Sequence, residues 1–137
     1  MAQKFSQIEG MVACWYLVAM VADKLSDKEN DLIMNKLMKK YDLWGHINWD
    51  IFIAKWGNWV PEGYEKILNH CKKILDDADY SIRVKTLAGM WSVAIDADEL
   101  PEGEWSNSES DYYIQMEKAL NVNREDVLKE LKILRTI

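Results

Sequence analysis

Acidic side chains crowd one stretch of the sequence, residues 96–111, which reads DADELPEGEWSNSESD. The stretch contains seven carboxylates and neither Lys nor Arg. Two carboxylates about 5 Å apart repel by roughly 3 kcal/mol at an effective dielectric constant near 20, so such a cluster either stays hydrated or attracts a cation. This stretch is therefore the first candidate for binding a divalent cation or a basic partner.

Part of this stretch resembles a calcium-binding loop of the EF-hand type. Asp98 would stand at position 1 of the loop, Glu102 at position 5 and Glu109 at position 12. Calcium takes about six to eight oxygen ligands, and a Glu at position 12 supplies two of them. Leu100, however, occupies position 3, where an oxygen ligand belongs. Looser cation binding by the clustered carboxylates is therefore favoured over a true EF-hand.

The acidic stretch is the second copy of an internal repeat. Residues 12–31 align with residues 87–111 at nine of twenty positions, with residues 101–105 as an insertion. Each copy consists of a helical pattern, an A-D-x-L turn, an S-x-x-E motif and a second helical pattern. A pseudo-twofold pairing of the copies would bring their acidic turns close to one another.

A second interpretation of the repeat needs no ligand. S-x-x-E is the signature of a capping box, in which the Ser and Glu side chains each accept a hydrogen bond from the other residue's backbone N–H. Under this interpretation Glu29 and Glu109 close their own helices and the other carboxylates keep the loop hydrated. It explains the repeated Asp23 and Asp98 less well, because the Ser of each motif already provides a cap.

The sequence predicts an all-α bundle of about seven helices in a single domain, residues 1–137. Hydrophobic residues make up 49% of the chain, which is enough to bury a core. With two prolines and six glycines, the chain lacks the frequent turn residues of an all-β fold. The repeat adds two pseudo-symmetric helix-turn-helix halves, at about residues 5–42 and 81–121.

Tryptophan is concentrated between residues 44 and 59, where four of the seven occur. Apolar residues at helical spacing predict a buried helix face here, and they are Trp49, Phe52, Ile53, Trp56 and Val60. Trp44 and Trp59 fall outside this stripe. With Trp105, they are the candidates for exposed hydrophobic contacts, and they support an alternative function as a ligand-free protein-interaction scaffold.

The doubled motif, ADKLSDKE from Ala22 and ADEL…SNSE from Ala97, resembles the tellurite-resistance TerB-like family. The resemblance implies an all-helical module with a non-enzymatic role in stress response or defence. It also implies that Asp23, Glu29, Asp98 and Glu109 bind a divalent cation, for which calcium and magnesium are the candidates. A protein partner, such as a membrane-associated stress complex, is implied as well.

Charge and composition exclude several other classes of function. The chain carries 17 basic and 23 acidic residues and a net charge of −6, so it repels nucleic acid. Its longest apolar run, residues 11–22, is too short to span a bilayer, which predicts no direct membrane insertion. Cys14 and Cys71 lie in apolar helical patterns, as expected for buried thiols of a cytoplasmic protein.

The residue types needed for catalysis do not form a recognisable pattern. His46 and His70 share no metal-binding or catalytic spacing, and the sequence has no phosphate-binding loop or Cys/His metal motif. We therefore expect a non-enzymatic protein. The sequence leaves its oligomeric state open.

Overall fold

The computed structural model describes residues 4–21, 25–96 and 106–136. Within these ranges the chain forms seven helices and no strand, which confirms the prediction of an all-α domain. The helices are α1 (Gln7–Val21), α2 (residues 27–40), α3 (Trp49–Trp59), α4 (Tyr64–Leu75), α5 (Tyr80–Ile95), α6 (Asn107–Leu120) and α7 (Arg124–Arg135). Across the described ranges, none of the helices combines the length and the apolar character needed to cross a bilayer.

Helices α1 and α5 form the centre of the fold. Residues 9–15 of α1 and residues 86–95 of α5 are buried without interruption. A helix that is buried on all sides must be surrounded by other elements. Accordingly, α1 contacts α4, α5 and α6, and α5 also contacts α2, α6 and α7. The two central helices are the first helices of the two repeat copies.

The central pair approaches most closely where Trp15 meets Gly89. A Cβ atom at residue 89 would lie 2.0 Å from Nε1 of Trp15, so only glycine fits there. The Trp15 side chain is fully buried, and its Nε1 donates a hydrogen bond to the carbonyl oxygen of Thr86 at 3.1 Å. Shape and hydrogen bonding together fix the position of α1 on α5.

Helix α3 lies at the edge of the bundle and departs from the sequence prediction. Phe52 is buried, and Trp49, Trp56 and Val60 pack partly buried against the core, as predicted. Ile53, however, is 61% exposed, so its assignment to the core was wrong. The apolar stripe is wider than the surface that the rest of the bundle covers.

Gly89→Ala tests the contact between α1 and α5. We expect this change to lower the free energy of unfolding by about 1–3 kcal/mol, because the added methyl group collides with the Trp15 indole. Urea unfolding followed by circular dichroism measures the change. Gly10→Ala is the matched control, since a Cβ there meets its nearest neighbour, Cγ2 of Ile74, at an ordinary 3.5 Å. Equal stabilities for the two variants would contradict this account of the helix pair.

Candidate functional site

The structure describes two of the five predicted cation ligands. Glu29 and Glu109 are both buried, with 6% and 8% of their surface exposed. Asp23, Asp98 and Glu102 lie outside the described residues, as does Trp105. The arrangement of the acidic turns as a whole is therefore still a prediction from the sequence.

Both described glutamates close capping boxes. Oε1 of Glu29 accepts the backbone N–H of Ser26 at 2.9 Å, and Oγ of Ser26 accepts the N–H of Glu29 at 3.0 Å. Ser106 and Glu109 repeat the arrangement at 3.0 and 3.1 Å. Throughout the described ranges, no three His, Cys, Asp or Glu side chains are grouped so that they could hold a metal ion. For Glu29 and Glu109, the geometry favours helix capping over cation binding.

An apolar groove of about 370 Å³ opens between α1, α2 and α3. Nine residues line it, and none of them carries a charge. Four aromatic rings and two thioethers form most of the wall, from Tyr16, Trp49, Phe52, Trp56, Met20 and Met34. Leu25, Asn30 and Ile53 complete the lining, and we call the whole site the aromatic groove. The sequence singled out the tryptophans but predicted no cavity.

Aromatic contacts hold the wall of the groove together. The ring of Tyr16 lies 6.2–6.3 Å, centre to centre, from the rings of Trp49, Phe52 and Trp56. Trp49 and Phe52 meet edge to face at 5.3 Å. Edge-to-face and tilted pairs at such distances are favourable beyond the area they bury. The groove therefore has an ordered aromatic wall before any ligand arrives.

An ion pair links α3 to α1. Nζ of Lys55 lies 2.7 Å from Oε1 of Glu9, and only 15% and 8% of the two side chains are exposed. The same oxygen accepts the backbone N–H of Ser6 at 2.8 Å and so closes a third capping box. Burial raises the pKa of Glu9, but the hydrogen bonds from Lys55 and Ser6 outweigh burial and the net pKa is lowered. Glu9 stays ionised at neutral pH and keeps α3 in place.

Few polar atoms face this apolar wall. The Tyr16 hydroxyl donates to Oδ1 of Asn30 at 3.3 Å, and burial raises the pKa of Tyr16 to about 12, so this side chain is neutral at physiological pH. Nε1 of Trp49 is buried and finds no acceptor among the described residues. An unsatisfied buried donor costs roughly 1–3 kcal/mol. Because this N–H is buried, it offers no polar contact to a group in the open groove.

The α2 side of the groove has an unusual backbone. Helix α2 is α-helical over Asp27–Asp31 and Met38–Lys40 but π-helical over Leu32–Leu37. Met34, which lines the groove, belongs to the π-helical segment. Such widened turns are rare and often occur at functional sites. Sequence patterns gave no sign of this segment, because a π-turn depends on how the helix packs.

Trp44 and Trp59, which were both predicted to be exposed, differ in how far they are buried. Trp44 is 44% exposed, as predicted, and its ring lies 5.8 Å from that of Trp49, so it extends the aromatic surface beyond the groove. Trp59 is instead partly buried and stacks on His70 at 4.2 Å. The prediction of Trp59 as an exposed contact was therefore wrong. Nε2 of His70 accepts the backbone N–H of Phe5 at 3.2 Å, which gives this histidine a structural role.

Two substitutions of Glu109 separate helix capping from cation binding. Gln also serves as the last residue of a capping box, so Glu109→Gln should change the free energy of unfolding by no more than about 0.5 kcal/mol. Ala leaves the Ser106 N–H without its acceptor, and Glu109→Ala should lose about 1 kcal/mol. Urea unfolding with a chelator, and again with calcium or magnesium, measures both values.

The same measurements also show whether Glu109 binds a cation in addition to capping its helix. If calcium or magnesium stabilises the native chain by about 2 kcal/mol and Glu109→Gln removes that gain, Glu109 is a cation ligand. Asp98→Asn provides the corresponding test for the predicted ligand in the second acidic turn.

Comparison with protein-family models, curated proteins and solved structures found no match to this chain. The TerB-like resemblance thus depends on the repeated motif alone. The contacts, burial and charges of the chain's own residues are the basis for proposing its function.

Proposed function

We propose that this protein is a non-enzymatic binding module whose aromatic groove receives a neutral, apolar side chain of a partner protein. The observation that supports this most directly is the groove itself, which is open to solvent and lined by nine uncharged residues. Exposed apolar grooves of this kind are typical of interaction sites. Tryptophan and tyrosine, which supply much of the wall, are also enriched among residues that dominate binding energy.

The chemistry of the wall favours a neutral group over an ion. Taking a charge out of water without an opposite charge costs several kcal/mol, and no lining residue supplies one. The volume of about 370 Å³ is at the lower end of the range for small-ligand pockets. Met20 and Met34 are flexible and polarizable, so they can adjust to the shape of the incoming group.

The groove has little capacity for acid-base catalysis. Tyr16 is its one ionisable side chain, and with a pKa raised to about 12 it does not act as a base near neutral pH. General bases work best when their pKa lies near the operating pH. This supports binding as the role of the groove.

Cation binding by the acidic turns, and the stress- or defence-associated role that the TerB-like resemblance implies, are separate proposals based on the sequence. Asp23, in the first of these turns, lies in residues 22–24, outside the described part of the chain.

Ile53→Glu tests the proposed role of the groove with Nile red, a neutral apolar dye. We expect the native protein to bind the dye saturably and to increase its fluorescence. Ile53→Glu places a charge on the lining and should weaken binding about ten-fold, which corresponds to about 1.4 kcal/mol. Fluorescence titration of both proteins measures the difference.

Ile51→Glu is the matched control for this test. Ile51 is 48% exposed on the same helix but does not line the groove, so its variant should bind the dye as the native chain does. Equal weakening in both variants, or no saturable binding by the native chain, would contradict the proposed function.

A further inference from the structure

We propose that a polar cavity beside the start of α1, lined by Lys4, His70 and Lys73 among others, binds a small oxyanion of the phosphate type. The described linings of this cavity and of the aromatic groove share no residue. The cavity is therefore a second site, and its role does not depend on the proposed function of the groove.

The cavity lies between the segment that leads into α1 and one side of α4. It has a volume of about 390 Å³. His70, Lys73 and Ile74 line it from α4, and their spacing of three and four residues places them on one side of that helix. Residues 4–7 and Asp77 complete the lining. Six of the eight lining residues are polar or charged, so the cavity suits a polar ligand, in contrast to the aromatic groove.

The ring of His70 is held in one orientation and one protonation state. Only 9% of this residue is exposed, and its ring stacks on Trp59 at 4.2 Å. Burial lowers the pKa of His70, and the positive charges of Lys4 and Lys73 lower it further, so the ring is neutral at pH 7. Because Nε2 accepts the backbone N–H of Phe5, the single ring proton lies on Nδ1.

This Nδ1–H is a hydrogen-bond donor that the protein does not use. Among the described residues, Nδ1 of His70 has no hydrogen-bond partner. Unlike the indole N–H of Trp49, it is not sealed inside the protein. A ligand in the cavity can therefore reach it, and an anionic oxygen is the strongest acceptor that such a donor can meet.

Two lysines give the cavity a positive charge. Lys4 precedes α1, and Lys73 lies about one turn after His70 on α4. Within the part of the chain that the structure describes, neither lysine forms an ion pair. Two lysines and one aspartate, Asp77, give the lining a net charge of +1, whereas the whole chain carries −6. A positive concavity on a negative chain attracts anions to that place.

The start of α1 adds to this positive potential. Gln7 is the first residue of this 15-residue helix, and Ser6 and Gln7 both line the cavity. The first N–H groups of a helix lack intrahelical partners and carry part of the positive end of its dipole. The carboxylate of Glu9 does not cancel this effect, since Lys55 and the Ser6 N–H already bind it.

The combination of groups favours phosphate over a simple halide. A phosphate group carries between one and two negative charges near neutral pH and offers several acceptor oxygens. It can therefore contact both lysines and the Nδ1–H of His70 at the same time. Helix starts of this kind also bind phosphate in other proteins.

NMR of the two histidine rings tests the proposal, with inorganic phosphate as the probe. At constant pH and ionic strength, replacing sodium chloride by phosphate should shift the ring signals of His70 saturably. His46 is exposed and lies outside the cavity, so its ring signals should stay in place. The two histidines thus provide the signal and its internal control in one sample.

Lysine substitutions show which charges hold the anion. Lys4→Gln and Lys73→Gln should each weaken phosphate binding about five-fold, the effect of losing one exposed ionic contact. Lys66→Gln is the matched control, because Lys66 is exposed on α4 outside the cavity and its loss changes the net charge equally. All three lysines are exposed, so the circular dichroism of the variants should match that of the native chain.

Three results would overturn the proposal. One is a His70 signal that phosphate leaves unchanged, and another is a shift of His46 as large as that of His70. The third is equal weakening by Lys66→Gln and Lys73→Gln, which would indicate attraction to the chain as a whole. Nile red binding to the aromatic groove should be the same in all these variants, so this outcome is separate from that of the proposed function.

Discussion

The structure depends on the contact between the Trp15 indole and the α5 backbone at Gly89. This contact sets the position of α1 on α5, since the indole fills the space of the missing side chain and donates to Thr86. Adjacent residues of a helix point about 100° apart. With Trp15 directed toward α5, its neighbour Tyr16 is directed toward the rings of α3. The core contact therefore also places the central ring of the aromatic groove.

Helix α3 packs against the bundle on one side only, through contacts other than the one between Trp15 and Gly89. The buried Phe52 and the ion pair between Lys55 and Glu9 hold it against α1. Its solvent-exposed residues are mixed in character, and they are Asp50, Ile51, Ile53, Ala54, Gly57 and Asn58. Ile53, which is 61% exposed, lies at the rim of the aromatic groove.

Local features of the fold were predictable from the sequence, and features formed by several helices were not. S-x-x-E predicted the starts of α2 and α6 because a capping box involves only four consecutive residues. The stripe in α3 identified an apolar helix, but periodicity does not reveal how much of it the bundle covers, and Ile53 was misassigned for that reason. The groove combines three helices and a π-helical segment, which no local pattern encodes. The same motif also supported cation binding, because capping and metal coordination both use Glu.

The central claim is that the aromatic groove is the binding surface of this protein, and the indole N–H signals of its tryptophans test it most directly. In a ¹⁵N-resolved NMR titration with Nile red, the signals of Trp49 and Trp56 should shift with added dye. The signal of Trp15, which is buried and bonded to Thr86, should stay in place. Unchanged signals from Trp49 and Trp56 at saturation, or an equal shift of Trp15, would contradict this account.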